Sequence, residues 1–189
     1  MPRYTLLDTA TAAELLRTGH VIAYPTEAVF GLGCDPANET AVRKLLAIKG
    51  RHESAGLVLI ASDFSQLTPW VADVDGELLD RAMQAWPGPV TWLFPRASTV
   101  PDYVAGYHDT IAVRITAHPP SRDLCDAFGS ALVSTSANHS AEKPARSAGE
   151  VDQFFGHQIA GILEGPLGGT NKPSEIRDLK SGKVLRAAA

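Results

Sequence analysis

The segment NETAVRKLLAIKGRHESAGLVLIA, residues 38–61, decides the fold class. Asn38 is a helix-capping residue, and Ala41, Val42, Leu45, Leu46 and Ile48 then recur at helical spacing along one face. Glu39 and Arg43, four residues apart, form a surface pair, and Gly50 stops the helix. After the loop RHESAG, the run LVLIA is apolar throughout and suits a buried strand. A helix feeding a strand that is buried on both faces is the repeating unit of an α/β sheet. The same segment carries the first site candidate, Lys49-Gly50-Arg51. Glycine tolerates positive φ, so both cations are expected to leave the helix and enter a cavity. The plainer alternative is a helix C-cap with charge placed against the helix dipole.

Working upstream, TAAELLRTG (residues 11–19) reads as a helix capped by Asp8 or Thr9 and stopped at Gly19. Val21 to Tyr24 reads as a strand that Pro25 ends, with Thr26 and Glu27 at its edge, where sheets present ligand-contacting groups. Gly31 and Gly33 read as turn residues, since neither a GxGxxG nor a GxxxxGK[ST] pattern is present.

Working downstream, residues 62–75 read as loop and short helix, and residues 76–85 as a helix. Val90 to Phe94 reads as a strand after the WPGP turn, with Trp86 and Trp92 in the core. Residues 95–109 read as a loop and IAVRIT as a strand containing Arg114. A guanidinium inside an apolar strand requires an anionic partner, either a structural carboxylate or a substrate carboxylate. A helix from Pro120 or Ser121 to Phe128 follows, then a strand at Ala131 to Val133, with Ser134, Thr135, Ser136 and Asn138 just beyond it. Hydroxyl- and amide-rich strand ends are commonly local turns. The polar stretch 139–149 reads as a mobile loop, 150–155 as a helix, and Ile159 to Leu163 as a strand. SEIRDL, a turn at Ser181-Gly182 and KVLR end the chain. Short strands alternating with helices predict a mixed sheet with helices on its faces.

At 189 residues, with 44% hydrophobic and 20% charged residues, the chain has the size and make-up of one soluble domain. The net charge of −4 argues against a broad basic surface for sequence-blind nucleic-acid binding, but not against a local basic pocket. Cys34 and Cys125 are far apart and belong to no metal-spaced cluster, so they read as buried thiols in a reducing compartment. No run reaches membrane-spanning length and no signal-peptide pattern opens the chain, so a cytoplasmic location is expected.

Several separated motifs, taken together, resemble the YrdC/TsaC family of L-threonylcarbamoyladenylate synthases, in its short stand-alone bacterial form. They are YPTEAVFGLGCDP (24–36), the K-x-R of Lys49 and Arg51, WPGPVT (86–91), AVR with Arg114, STSAN (134–138) and PSEIRD (173–178). The resemblance implies a single YrdC-like domain: an α/β, twisted, open mixed sheet with a large concave, positively lined cavity. It implies that L-threonine, bicarbonate and ATP give threonylcarbamoyl-AMP and pyrophosphate. That product serves the N6-threonylcarbamoyl modification of adenosine 37 in tRNAs reading codons that begin with A, through separate downstream threonylcarbamoyl-transfer proteins.

By the same resemblance, Lys49, Arg51, Ser136, Asn138 and Arg186 bind ATP, and the first four form the catalytic set. Thr26, Arg114 and Ser174 hold threonine. Mg2+ is expected to arrive on the ATP phosphates, because no carboxylate cage is evident. Where close relatives often carry Pro, Lys, Gly and Arg, this chain has His52, Ala55, Ala141 and Thr170; Ala55 and Thr170 remove cations that could contact nucleotide or RNA, and Ala141 is expected to alter its loop. Weak tRNA or RNA binding is the remaining partner expectation. An RNA-holding module without turnover is the alternative class, and its affinity should fall steeply with salt.

Overall fold

The computed structural model describes residues 4–139, 142–170 and 172–188. A two-residue strand, β1 (Leu6–Leu7), leads into α1 (Thr9–Arg17). The Asp8 carboxylate caps that helix by accepting the Thr11 N–H at 2.7 Å. The antiparallel pair β2 (Ile22–Pro25) and β3 (Phe30–Gly33) precedes α2 (Glu39–Lys49). Asn38 caps α2, its Oδ1 accepting the Ala41 N–H at 3.0 Å. Next come β4 (Val58–Ala61), α3 (Gly76–Met83), β5 (Val90–Pro95), α4 (Asp102–Ala105) and β6 (Thr110–Ile115). The remainder is α5 (Pro119–Phe128), β7 (Leu132–Ser136), α6 (Ala148–Phe155), β8 (Ile162–Leu163), β9 (Glu175–Asp178) and β10 (Val184–Arg186).

All ten strands join in the order β1-β8-β2-β3-β7-β4-β6-β5-β9-β10. The sheet is mixed, as the pattern of elements predicts. β4 runs parallel to β6 and β5 to β9, whereas β3, β4 and β7 meet antiparallel. Alternation along the central strands feeds two cores. Ile22, Tyr24, Ile60 and Leu132 pack with Leu16 of α1 and Leu124 of α5. Ala23, Leu32, Leu59 and Val133 face the opposite way, toward Val42 and Leu45 of α2 and the aromatic residues Trp92 and Phe94. Trp86 lies stacked on Phe94 with ring centroids 5.8 Å apart, and both tryptophans are core residues as expected. Cys34 and Cys125 are free and buried. Burial pushes the Cys125 thiol up to about 12, which keeps it unreactive at neutral pH.

Four local expectations are corrected. Gly31 and Gly33 lie inside β3 rather than in a turn, because glycine there admits close packing. A Cβ on Gly33 would meet the Val133 carbonyl oxygen at 2.5 Å and the Tyr24 ring at 2.6 Å. Ser134, Thr135 and Ser136 belong to β7, paired through Thr135 and Ser136 to Leu32 and Gly31, so the polar tail is strand. The loop at 95–109 contains α4. The strand expected from Ile159 is only Ile162–Leu163. Within the stretch expected to be a mobile loop, Ala145 is buried and held by two backbone hydrogen bonds: its carbonyl accepts from the Phe30 N–H and its N–H donates to the Ala137 carbonyl, both at 2.8 Å. Ala141 lies outside the described residues. Among the described residues no helix is long and apolar enough to cross a membrane.

Candidate active site

Helix α2 ends in a tight reversal at Gly50, whose φ of 58° lies in the left-handed region. The Gly50 N–H donates to the Ala47 carbonyl at 3.1 Å and the Arg51 N–H to the Leu46 carbonyl at 3.0 Å, which closes the last turn. This reversal sends the two flanking cations in different directions. Lys49, the last helical residue, is buried at 8% exposure. Its ammonium donates to the Ser136 carbonyl at 2.6 Å, to Asn138 Oδ1 at 3.0 Å and to the Asn138 carbonyl. Arg51 is exposed and lines the large cavity, where among the described residues its one hydrogen bond is at 3.4 Å to the Ala55 carbonyl. The expectation that both cations enter the cavity therefore holds for Arg51 only. Lys49 instead reaches the backbone behind the cavity wall, where three oxygens saturate its donors. Burial, and then the Arg51 charge, lower the Lys49 pKa to about 8. The cavity walls strip part of the hydration from the Arg51 guanidinium and lower its pKa as well.

Ser136 and Asn138 meet each other at the end of β7. Asn138 Nδ2 donates to the His139 and Glu142 carbonyls at 2.9 and 2.8 Å, which leaves Oδ1 facing Lys49. Ser136 Oγ donates to the same Oδ1 at 2.6 Å. Ser136 lines the cavity, whereas Asn138 stands behind it with Lys49.

The cavity encloses about 900 Å3, within the range of small-molecule sites. It lies over the polar end of β7, the turn between β2 and β3, and the start of β9. Its cations are Arg51, Arg114, Lys143, Arg146 and Arg186, against two carboxylates, Glu27 and Glu150. Thr26, Arg114, Ser174 and Arg186 all line it. Thr26 is fixed locally, its hydroxyl donating to the Val29 carbonyl at 2.7 Å. Arg186 Nη2 reaches the Ser174 carbonyl at 2.8 Å and its hydroxyl at 3.3 Å, and Thr91 donates to that hydroxyl at 3.2 Å. Burial lowers the Arg186 pKa, and the Arg114 and Arg51 charges add to the effect, so three guanidiniums share one field.

Arg114 has the structural carboxylate as its partner. Its Nη1 pairs with Glu27 Oε1 at 2.5 Å, and the Thr116 hydroxyl donates to the same oxygen at 2.6 Å. Burial pushes the Glu27 pKa up, but the Arg114 charge and the two hydrogen bonds outweigh it, so the carboxyl ends below its ordinary value. Arg114 Nε is buried with no partner among the described residues, and Glu27 is the acceptor of its Nη1, so Glu27 takes only part of what a five-donor guanidinium can give.

Glu27 as the partner of Arg114 was not predicted, although its position at a strand edge was. Lys143 and Arg146 were also missed. Their signal was two cations three residues apart, five and eight residues after Asn138, in a stretch read only as polar loop. Three of the departures have local roles. His52 caps a short 3-10 turn by accepting the Ser54 N–H at 3.2 Å, and Ala55 offers its carbonyl to Arg51. Thr170 is tied to the cavity rim through its N–H and hydroxyl, both donated to the Glu27 carbonyl, at 3.1 and 3.2 Å.

The sequence profile of a family described as "Telomere recombination", whose name joins Sua5, YciO and YrdC, matches residues 14–188. The chain belongs to this family. It is 53% identical over 175 residues to a threonylcarbamoyl-AMP synthase of Halorhodospira halophila, an alignment covering 93% of this chain and 92% of the relative. It is 49% identical to the enzyme of the same name from Coxiella burnetii, over 93% of this chain and 94% of that one. Among solved structures, P. abyssi Sua5 complexed with L-threonine superposes with a TM-score of 0.85 at 32% identity, over 91% of this chain. This chain spans 51% of that longer protein.

Proposed function

We propose that this chain is a nucleotidyltransferase that makes threonylcarbamoyl-AMP and pyrophosphate from L-threonine, bicarbonate and ATP. The product supplies the threonylcarbamoyl group of adenosine 37 in tRNAs reading codons that begin with A. The observation that carries the reading is the convergence of the separated motifs on one cation-lined cavity, in a chain about half identical to two synthases over more than nine-tenths of each.

The chemistry asks for charge neutralisation and alignment. Threonine's neutral amine adds to CO2 with release of a proton, or to bicarbonate with loss of water, and gives a carbamate, which is an anion. Its oxygen attacks the α-phosphorus of ATP, the P–O bond to the β-phosphate breaks, and pyrophosphate leaves. Two anions meet and charge grows on the leaving group, so fixed cations lower the barrier and a Ser-His-Asp triad is unnecessary. Arg51 and Arg186 take the phosphates as planar forks. Ser136 lines the reacting end, with Lys49 and Asn138 behind it. Arg114, held by Glu27 and lining the cavity, takes the threonine carboxylate, and Thr26 and Ser174 complete that subsite.

Mg2+ enters with ATP. Glu27 is engaged by Arg114 and Thr116, and Glu150 by the Arg146 N–H at 2.6 Å, so phosphate oxygens rather than these carboxylates hold the ion. The downstream partners are threonylcarbamoyl-transfer proteins, RNA contact is weak, and the setting is the cytoplasm.

Incubation with 13C-bicarbonate, threonine and ATP, followed by mass spectrometry, tests the reaction. A labelled adenylate, with pyrophosphate released only when threonine and bicarbonate are both present, is the expected result. Equal turnover with serine, or pyrophosphate release without bicarbonate, would overturn it.

A further inference from the structure

The reaction proposed above needs cations at the phosphates, and the sequence offers two in Lys49-Gly50-Arg51. An ammonium has three N–H donors and no acceptor. In Lys49 all three are directed at protein oxygens: the Ser136 carbonyl, Asn138 Oδ1 and the Asn138 carbonyl. The residue is buried and does not line the cavity among the described residues, whereas Arg51 lines it with its guanidinium almost unused.

The hydrogen bonds run on from there in one direction. Both N–H groups of the Asn138 amide are taken by backbone carbonyls, so Oδ1 is the atom that faces Lys49 and Ser136. An amide oxygen carries no proton, so the Ser136 hydroxyl must donate to it, and its lone pairs are what it offers the cavity. Lys49 thus fixes Asn138, and Asn138 fixes the proton of Ser136.

We propose that Lys49 is a positioning residue: it holds the Ser136–Asn138 loop and, through Asn138, the direction of the Ser136 hydroxyl, and it makes no contact with the triphosphate. This rests on the reading that ATP occupies the cavity beside Arg51 and Ser136. Its effect on the reaction passes through the loop, so Lys49 and Asn138 should act as one unit.

Two measurements test this. In the first, turnover and ATP affinity by calorimetry are compared for the wild type, Lys49→Met, Asn138→Ala, the double variant and Arg51→Ala. Each of the two loop variants should lose at least about tenfold in kcat, and the double should lose little more than the worse single. ATP affinity should fall less than about threefold in Lys49→Met and more than about tenfold in Arg51→Ala. Multiplying effects in the double variant, or an ATP affinity loss in Lys49→Met equal to that in Arg51→Ala, would overturn the proposal.

The second measurement uses the wild type and so does not depend on any variant folding. In 15N-lysine-labelled protein, the slowly exchanging ammonium of the buried lysine should keep its chemical shift as ATP and Mg2+ are added. A large displacement would place phosphate on Lys49 and sink the idea. Wild type that makes no adenylate would overturn the functional reading itself. Wild type that makes it, with either contrary result above, overturns only the role given to Lys49.

Discussion

Lys49 and Arg51 are separated by one glycine, carry the same charge, and sit in opposite environments. Lys49 is buried with every donor bonded to Ser136 and Asn138, and Arg51 stands in the cavity with one long hydrogen bond among the described residues. The left-handed glycine between them is the cause, because it reverses the chain within one residue. Counting cations along a sequence therefore overstates the charge a ligand meets. What a cation can do for a substrate depends on how many of its donors the protein has already taken.

The largest expected effect follows from Arg51 being the uncommitted member of the pair. Arg51→Ala should lower kcat/KM for ATP by about a hundredfold, and Arg51→Lys by about tenfold, since lysine keeps the charge but loses the fork. Thermal melting of either variant should stay near wild type, because the side chain is exposed and contributes little packing. A large loss of melting temperature would erase the contrast with Lys49.

A second buried cation, Arg114, sharpens the comparison, because its partner is a carboxylate. Removing that partner in Glu27→Ala should destabilise the fold by about 3 kcal/mol, the cost of stranding a buried charge. It should also raise the threonine requirement, and both are readable by denaturant titration and steady-state kinetics. The Glu27 carboxyl titrates below its ordinary value of 4.5 in the folded protein. Its contribution to stability is therefore complete above pH about 4.5 and lost as pH falls through the depressed value. Melting curves across that window should drop more steeply in the wild type than in Glu27→Gln.

Smaller effects attach to the glycine and to the lysine itself. Nothing lies within 4 Å of a Cβ built on Gly50, so Gly50→Ala meets only the backbone penalty of positive φ, about 1 kcal/mol. Lys49 loses its proton near pH 8 when folded but near 10.5 when unfolded, so the unfolded chain binds more protons between those values. Across that range the wild type should gain stability relative to Lys49→Met, with a slope of up to about 1.4 kcal/mol per pH unit measurable by denaturant titration at several pH values.

Much of the fold was legible in the sequence, and the exceptions share a cause. Helix α2, with its Asn38 cap and Gly50 stop, follows from periodicity and capping chemistry alone. Strands β4 and β6 follow from apolar runs. Strand β3 was missed because Gly31 and Gly33 resemble turn residues, and only the neighbouring Tyr24 ring and the β7 backbone explain them. The tail of β7 was missed because Ser134, Thr135 and Ser136 line the cavity, where a strand end need not be apolar. The site was legible as a set of residue types, and resemblance to a family grouped them. Which of them touch the cavity was not legible, since that depends on the reversal at Gly50 and on how Asn138 divides its hydrogen bonds. Glu27 illustrates the same limit: Arg114 announced a need for an anion, and pairing across the sheet decided which one.

The central claim is that one cavity holds ATP at Arg51 and threonine at Arg114. Calorimetric titration of Arg51→Ala and Arg114→Ala with each ligand in turn tests it most directly. The account predicts a crossed pattern, with Arg51→Ala losing ATP affinity while keeping threonine, and Arg114→Ala doing the reverse. Loss of the same ligand in both variants, or of both ligands in either one, would contradict it.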